Sequence, residues 1–311
     1  MDARPPAWTA PTPLTPSPKR GMDARPPAWT APTPLTPSPK RGMDARPSAW
    51  TAPTPLTPSP KRGMDARPSA WTAPTPRLVY RRLLKSYGPQ GWWPVTPLHE
   101  KTPVYRPGFW GDLSEKECLE ICLGAILTQN TNWENVRKAL IRLKSAGVLD
   151  LKKILELELR KLQSLIRSSG YFRQKSRKIK IFVETVSSRG DSLKKWLSGS
   201  LDKTREELLD LWGIGPETAD SILLYAGHRP VFVIDAYTMR ITRRMGWMKN
   251  PQYFRLQKFF EKNLSKKSFL YAEFHALLVA LAKNHCRTKP VCSGCPVLDI
   301  CAHGLKAVRV R

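Results

Sequence analysis

Residues 1–21, MDARPPAWTAPTPLTPSPKRG, recur at 22–42, recur at 43–63 with Ser48 replacing a proline, and begin a fourth time at Met64–Pro76. This segment holds 20 of the chain's 30 prolines. Proline lacks the amide hydrogen that helix and sheet both use, and each unit has only Trp, Leu and Ala to bury. A solenoid, which stacks repeats on a shared core, is thereby ruled out. The composition predicts an extended, solvated, disordered leader over 1–76 with much polyproline II character. Near-identity of the copies suggests recent tandem duplication, and every copy opens with Met. One reading makes it a functionless or misassigned leader with a start near Met64 or later. The other makes it a tethering arm adding +6 of charge.

Any fold must then come from the 235 residues after Pro76, which carry 42 Lys and Arg against 21 Asp and Glu. That length can bury a core, as one large domain or two small lobes, without disulfides. A net charge of +21 repels itself unless a partner neutralises it, so a polyanion is expected. The apolar run CLEICLGAIL is cut by Glu120 and FHALLVALA is short. Neither reaches the roughly 18 residues of a membrane crossing, and no apolar signal segment stands in the proline-rich start. An intracellular protein is expected.

From Arg77 onward apolar residues recur at helical spacing, as in Leu119, Cys122, Leu123, Ile126 and Leu127, with Ser114 and Glu117 forming a capping box ahead of them. Val136, Ala139, Leu140 and Leu143 repeat the pattern. So do Ala219, Ile222, Leu223 and Ala226, and then Phe274, Leu277, Leu278 and Leu281. The one strand-like run, Val231 to Ile234, is too short and solitary for a sheet. It reads as an extended connector in an all-α protein.

Three constellations carry chemistry. In 204–226, TREELLDLWGIGPETADSILLYA, an amphipathic helix ends at Gly213-Ile214-Gly215 and a second begins at Pro216, where a missing amide hydrogen costs nothing. Free amides at such a helix start attract an anion, and glycines let the backbone approach it. A plain helical hairpin is the alternative; the positive charge favours a helix-hairpin-helix that grips a nucleic-acid backbone through Gly213, Ile214 and Gly215. The second constellation is Asp235 in VFVIDAYTMR, which by position alone is a helix N-cap. The third is Cys286-x5-Cys292-x2-Cys295-x5-Cys301, whose spacing suits an iron-sulfur or zinc site better than disulfides. Cys118 and Cys122, one helical turn apart on an apolar helix, read as core.

The hairpin, the Gly227-His228-Arg229-Pro230 turn and Asp235 together resemble the HhH-GPD superfamily of DNA glycosylases, the endonuclease III relatives. The resemblance covers about residues 80–303 and implies a two-lobed helical domain over 77–303, followed by a basic tail at 304–311. It implies a [4Fe-4S] cluster on Cys286, Cys292, Cys295 and Cys301, although the first gap is one residue shorter than in the family. Lys283, Arg287 and Lys289 beside the cluster would then meet phosphate. Further stretches look like the 3-methyladenine DNA glycosylase III subgroup: Gly91-Trp92-Trp93-Pro94, Leu127-Thr128-Gln129-Asn130-Thr131, Ser169-Gly170-Tyr171-Phe172-x-Gln174-Lys175 and Glu217-Thr218-Ala219-Asp220.

What the resemblance implies is a monofunctional enzyme that releases a flipped base from damaged double-stranded DNA. Bifunctional relatives place an imine-forming Lys where this chain has Glu217, and a carboxylate cannot form an imine. Asp235 would stabilise the charge developing at C1′. Trp92 and Trp93 would stack an alkylated, cationic purine, with packing of the lobe as their alternative reading. Gln129 would fill the vacated stack, and Glu217 would line the pocket. A monomeric prokaryotic protein, cytoplasmic and nucleoid-associated, with no membrane partner, completes the expectation. Two rivals stand beside it: an endonuclease III-type glycosylase and lyase acting on oxidised pyrimidines, and a non-catalytic iron-sulfur DNA-binding protein.

Overall fold

The computed structural model describes residues 72–309, so the disorder expected of the leader falls outside the described residues except at its last five positions. The helices are α1 (Pro76–Tyr87), α2 (Glu115–Thr128), α3 (Trp133–Ser145), α4 (Leu151–Glu156), α5 (Leu159–Leu165), α6 (Phe172–Ser188), α7 (Leu193–Ser198), α8 (Leu201–Leu209), α9 (Pro216–Ser221), α10 (Ala236–Met245), α11 (Tyr253–Asn263), α12 (Ser268–Asn284) and α13 (Ala302–Arg309). No strand occurs among the described residues, only an isolated antiparallel bridge between Val95 and Val104. No helix among them is long and apolar enough to cross a membrane.

Two helices organise the core because they are apolar on nearly every face. Residues 118–127 of α2 are all buried, after a start fixed by the reciprocal bonds of Ser114 and Glu117. This helix packs on α3, α6, α7 and the turn that follows α9. The other, α12, packs on α1 and α10 and buries most of its length from Tyr271 to Ala282. A single apolar core joins them, so the two expected lobes share one interior and differ as the walls of a cleft.

In the connector that delivers Asp235, α11 takes the place of a sheet neighbour at Phe232. Phe232 donates its amide to Glu261 Oε1 at 3.0 Å and accepts from Gln257 Nε2 at 2.8 Å. Its ring stacks on Phe260 at 4.3 Å, and such a fully buried side chain contributes about 2 kcal/mol. The same Gln257 donates to Asp220 at 2.7 Å. Asp220 also receives Arg205 Nε at 2.7 Å, Arg205 Nη2 at 3.1 Å and Tyr253 Oη at 2.8 Å. One buried carboxylate thus ties α8, α9 and α11 together behind the hairpin.

Both ends of the domain differ from the sequence expectation. The first helix starts inside the fourth repeat copy: Thr75 is its N-cap, accepting from the Leu78 amide, and Pro76 occupies the first turn. Trp247 Nε1 also donates to the Pro74 carbonyl. The fold therefore begins before Arg77, since a cap and a buried Pro74 belong to it. At the other end the expected tail is largely helical, as α13 runs to Arg309.

Candidate active site

Beyond the hairpin, the chain after α9 runs through a π-helical turn, Ile222–Ala226, in which the Gly227 amide reaches the Ile222 carbonyl at 3.1 Å. The buried connector follows, and Asp235 ends it as the N-cap of α10. Its Oδ1 accepts from the Thr238 amide at 2.6 Å. The residue is only 9 % exposed. Burial drives its carboxyl upward, but the facing His275 and the Thr238 amide outweigh this and hold it below the usual carboxylate range.

Asp235 faces a cleft of ≈ 470 Å³, within the size range of small-ligand sites. Trp92, Trp93, Gln129 and Glu217 line the same cleft, so every pocket residue expected from the sequence meets there. Trp133, Tyr237, His275 and Lys283 join them and were not foreseen as pocket residues. Glu217 stands in the first turn of α9. It keeps solvent contact at the cleft mouth, yet the surrounding protein and the charge of Asp235 push its carboxyl up to about 7. Water in the open cleft screens that repulsion, and expelling it strengthens the effect. Two neighbouring carboxyls whose affinities for a proton are driven apart form a recurrent acid–base arrangement.

The paired tryptophans divide their tasks. Trp93 is 8 % exposed, wedged edge-on between Trp133 at 5.8 Å and Tyr225 at 5.2 Å. It lies so close to α2 that a Cβ at Gly124 would come within 2.9 Å of its Nε1. Packing is its main role, whereas Trp92 is half-buried and gives the cleft a wall. Lys283 Nζ lies 5.9 Å from the Trp92 ring. The sequence placed Lys283 with the phosphate-facing residues of the cysteine loop; the structure places it in the cleft, at the aromatic face expected to meet the base.

Gln129, at the end of α2, donates to the Gly213 carbonyl at 3.1 Å and to Thr218 Oγ1 at 2.9 Å, and accepts from Lys178 Nζ. Its carboxamide therefore bridges cleft and hairpin. In the hairpin turn Gly213 has φ 82°, and a side chain there would collide with Lys178. Ile214 is buried and bonds back to the Leu211 carbonyl at 3.0 Å. Among the described residues the Gly213 and Gly215 amides have no acceptor, which leaves two donors for an anion.

Cys286, Cys292, Cys295 and Cys301 line one separate cavity. Arg244 Nη1 lies 3.2 Å from Cys286 Sγ. Burial and the neighbouring sulfurs push the Cys295 thiol up to about 11, so four thiolates cannot share this space without a cationic group. A single tetrahedral zinc would draw the sulfurs to ~3.8 Å of one another. Among the described residues no three Cys, His, Asp or Glu side chains converge on one ion. Four soft thiol donors around one cavity are the chemistry that an iron-sulfur or zinc centre requires.

A helical hairpin with open amides beside an acid-lined aromatic cleft defines a DNA base-excision enzyme. The chain belongs to the HhH-GPD superfamily of base excision DNA repair proteins, whose pattern matches residues 123–266, and is a DNA glycosylase of that superfamily. It is 37 % identical over 226 residues to a Methanocaldococcus jannaschii protein named as a DNA repair glycosylase, a match covering 72 % of this chain and 94 % of the relative. An endonuclease III of Sulfolobus acidocaldarius is 27 % identical, over 60 % of this chain and 82 % of its own. Among solved structures, the H. pylori 3-methyladenine DNA glycosylase bound to 1,N6-ethenoadenine superimposes with a TM-score of 0.50 at 33 % identity. That match covers 55 % of this chain and 90 % of the other. An endonuclease III–DNA complex shares the fold at 21 % identity and a TM-score of 0.58, over 75 % of this chain and 96 % of that one.

Proposed function

We propose that this glycosylase hydrolyses the N-glycosidic bond of an alkylated purine, such as 3-methyladenine, flipped out of double-stranded DNA, and leaves the abasic strand intact. The observation that carries the reading is the cleft itself, where Glu217 at the start of α9 and Asp235 line one cavity together with Trp92. A carboxylate at 217 offers no amine for an imine, which supports hydrolysis without strand cleavage.

The hairpin amides of Gly213 and Gly215 hold the phosphate backbone. Flipping costs a few kcal/mol, less for a damaged base, and Gln129, released from the hairpin, fills the gap. The base lies against Trp92. As its bond to C1′ lengthens, Asp235 stabilises the positive charge on the sugar. Water adds at C1′ and gives its proton to the Asp235 carboxylate, while the bonding pair neutralises the cationic purine. Because Lys283 shares the Trp92 face, a neutral adduct is also favoured, and 1,N6-ethenoadenine is the base held by the H. pylori relative.

The four cysteines would hold a [4Fe-4S] cluster, which supplies a rigid anchor for the loop rather than redox chemistry. Purified protein is expected to be brown with about four irons per chain; one zinc and no iron in anaerobic preparations overturns this. The substrate is tested by incubating the protein with methylated, etheno, deaminated and oxidised duplexes and identifying the released base. Release of oxidised pyrimidines alone, with borohydride trapping of the enzyme on DNA, would establish the bifunctional rival. No release from any duplex would establish the non-catalytic one.

A further inference from the structure

We propose that His275 is the positioning residue of Asp235: it donates Nε2–H to Oδ2 and is itself held in the required tautomer by Tyr225. This rests on the reading of Asp235 as the group that stabilises charge at C1′. His275 sits within the apolar run of α12 and is 4 % exposed. A buried imidazole has two nitrogens to satisfy. Nδ1 lies 2.7 Å from Tyr225 Oη. Nε2 has no hydrogen-bond partner, and Asp235 Oδ2 lies 3.5 Å from it.

Counting protons fixes the arrangement. The Tyr225 hydroxyl has one hydrogen and two acceptors in reach, His275 Nδ1 at 2.7 Å and the Ala272 carbonyl at 3.2 Å. Donation to the nearer one leaves Nε2 protonated and aimed at the carboxylate. The opposite tautomer would set a lone pair against Oδ2 with little water between, which is costly. Asp235 Oδ1 is already committed to the Thr238 amide, so Oδ2 is the oxygen free to act and His275 sets its direction.

The 3.5 Å separation exceeds the usual N–H···O range. Catalytic hydrogen bonds are often long before substrate binds, and this one is expected to shorten when DNA closes the cleft. Trp92 meets the imidazole edge-on at 6.1 Å and shields it from water.

The test is single-turnover release of N-methylated purines from a methylated duplex, with full-length enzyme in saturating excess, for His275→Leu and His275→Gln, each alone and combined with Asp235→Asn. Glutamine keeps an amide donor near the place of Nε2; leucine keeps only bulk. His275→Leu is expected to slow release by about 10-fold or more, as loss of an orienting partner does, with DNA affinity unchanged. His275→Gln should stay within about 3-fold of wild type, and His275→Leu should add nothing in the Asp235→Asn background. Equal slowing by both substitutions, an undiminished effect beside Asp235→Asn, or no effect of His275→Leu overturns the proposal. Full activity of Asp235→Asn alone would instead overturn the role of Asp235. Should His275→Leu fail to fold, Tyr225→Phe removes the tautomer-fixing proton while keeping the ring. It should slow release several-fold in wild type and not at all beside Asp235→Asn, and a loss in both backgrounds or in neither overturns the proposal.

Discussion

Asp220 and Asp235 flank the same buried connector, and both are carboxylates withdrawn from water. Asp220 is fully buried and receives Arg205 twice, Tyr253 and Gln257. Its capacity as an acceptor is spent inside the protein. Asp235 is almost as buried, yet one oxygen takes the Thr238 amide and the other is left toward His275 and the cleft. Burial therefore does not separate a structural carboxylate from a chemical one here. The difference lies in unused hydrogen-bonding capacity and in which cavity it faces.

The largest expected effect breaks the structural member of the pair. Asp220→Ala strands Arg205, Tyr253 and Gln257, and loss of one partner from a buried ion pair costs about 3–5 kcal/mol. Urea unfolding should show this, while molecules that remain folded well below the midpoint should excise bases at near-normal rates. A variant of normal stability and no activity would reverse the two roles. Next, Asp235→Asn should lower single-turnover excision by about 10² or more with a much smaller loss of stability than Asp220→Ala, because asparagine still caps the helix. Wild-type rates in that variant would remove Asp235 from the chemistry.

The pair also sharpens through pH. Asp235 has a depressed proton affinity, so its contribution to stability is present above the ordinary carboxylate range and is lost as pH falls through its own lower value. Glu217 runs the other way: it keeps its proton up to about 7 when folded, so stability falls as pH rises from its ordinary value toward 7. Release of cationic methylated purines should rise several-fold across pH 6 to 8 as Glu217 ionises, and Glu217→Gln should flatten that limb. An unchanged profile would limit Glu217 to a helix-start role. The smallest effect concerns the first turn. A chain starting at Thr72 should match the full chain in stability and excision, whereas one starting at Arg77 should lose about 1 kcal/mol with the Thr75 cap. Equal melting temperatures for the two would show that α1 begins where the repeats end.

Much of this architecture was legible because it depends on neighbours in sequence. The apolar spacing of α2 and α12, the Ser114 capping box and the solitary connector are all local patterns. Asp235 carried two readings, cap and pocket residue, and the geometry accommodates both at once. What escaped depends on packing between distant segments. His275 looks like any residue of an apolar helix until Tyr225, 50 positions away, meets its ring. Lys283 is near the cysteines in sequence, but the helix turns it toward Trp92. Nothing local told Trp92 from Trp93, since Gly124 on another helix decides which of them is packed. The Asp220 knot likewise needs Tyr253 and Gln257, which no spacing linked to the hairpin.

The cap of α1 has a consequence for inheritance. Ala-Pro-Thr-Pro occurs at 10–13, 31–34, 52–55 and 73–76, once in each copy of the repeat. The duplicated unit thus contains the very letters on which the domain's first helix starts. Whichever copy abuts Arg77 delivers its own threonine and proline, so unequal crossing-over that gains or loses whole units leaves the first turn intact. Selection acting on the first turn of α1 cannot count the copies. It can, however, see a partial deletion that removes the last five residues. Between closely related sequences, leader length is expected to drift in steps of 21 residues beside a domain that stays the same.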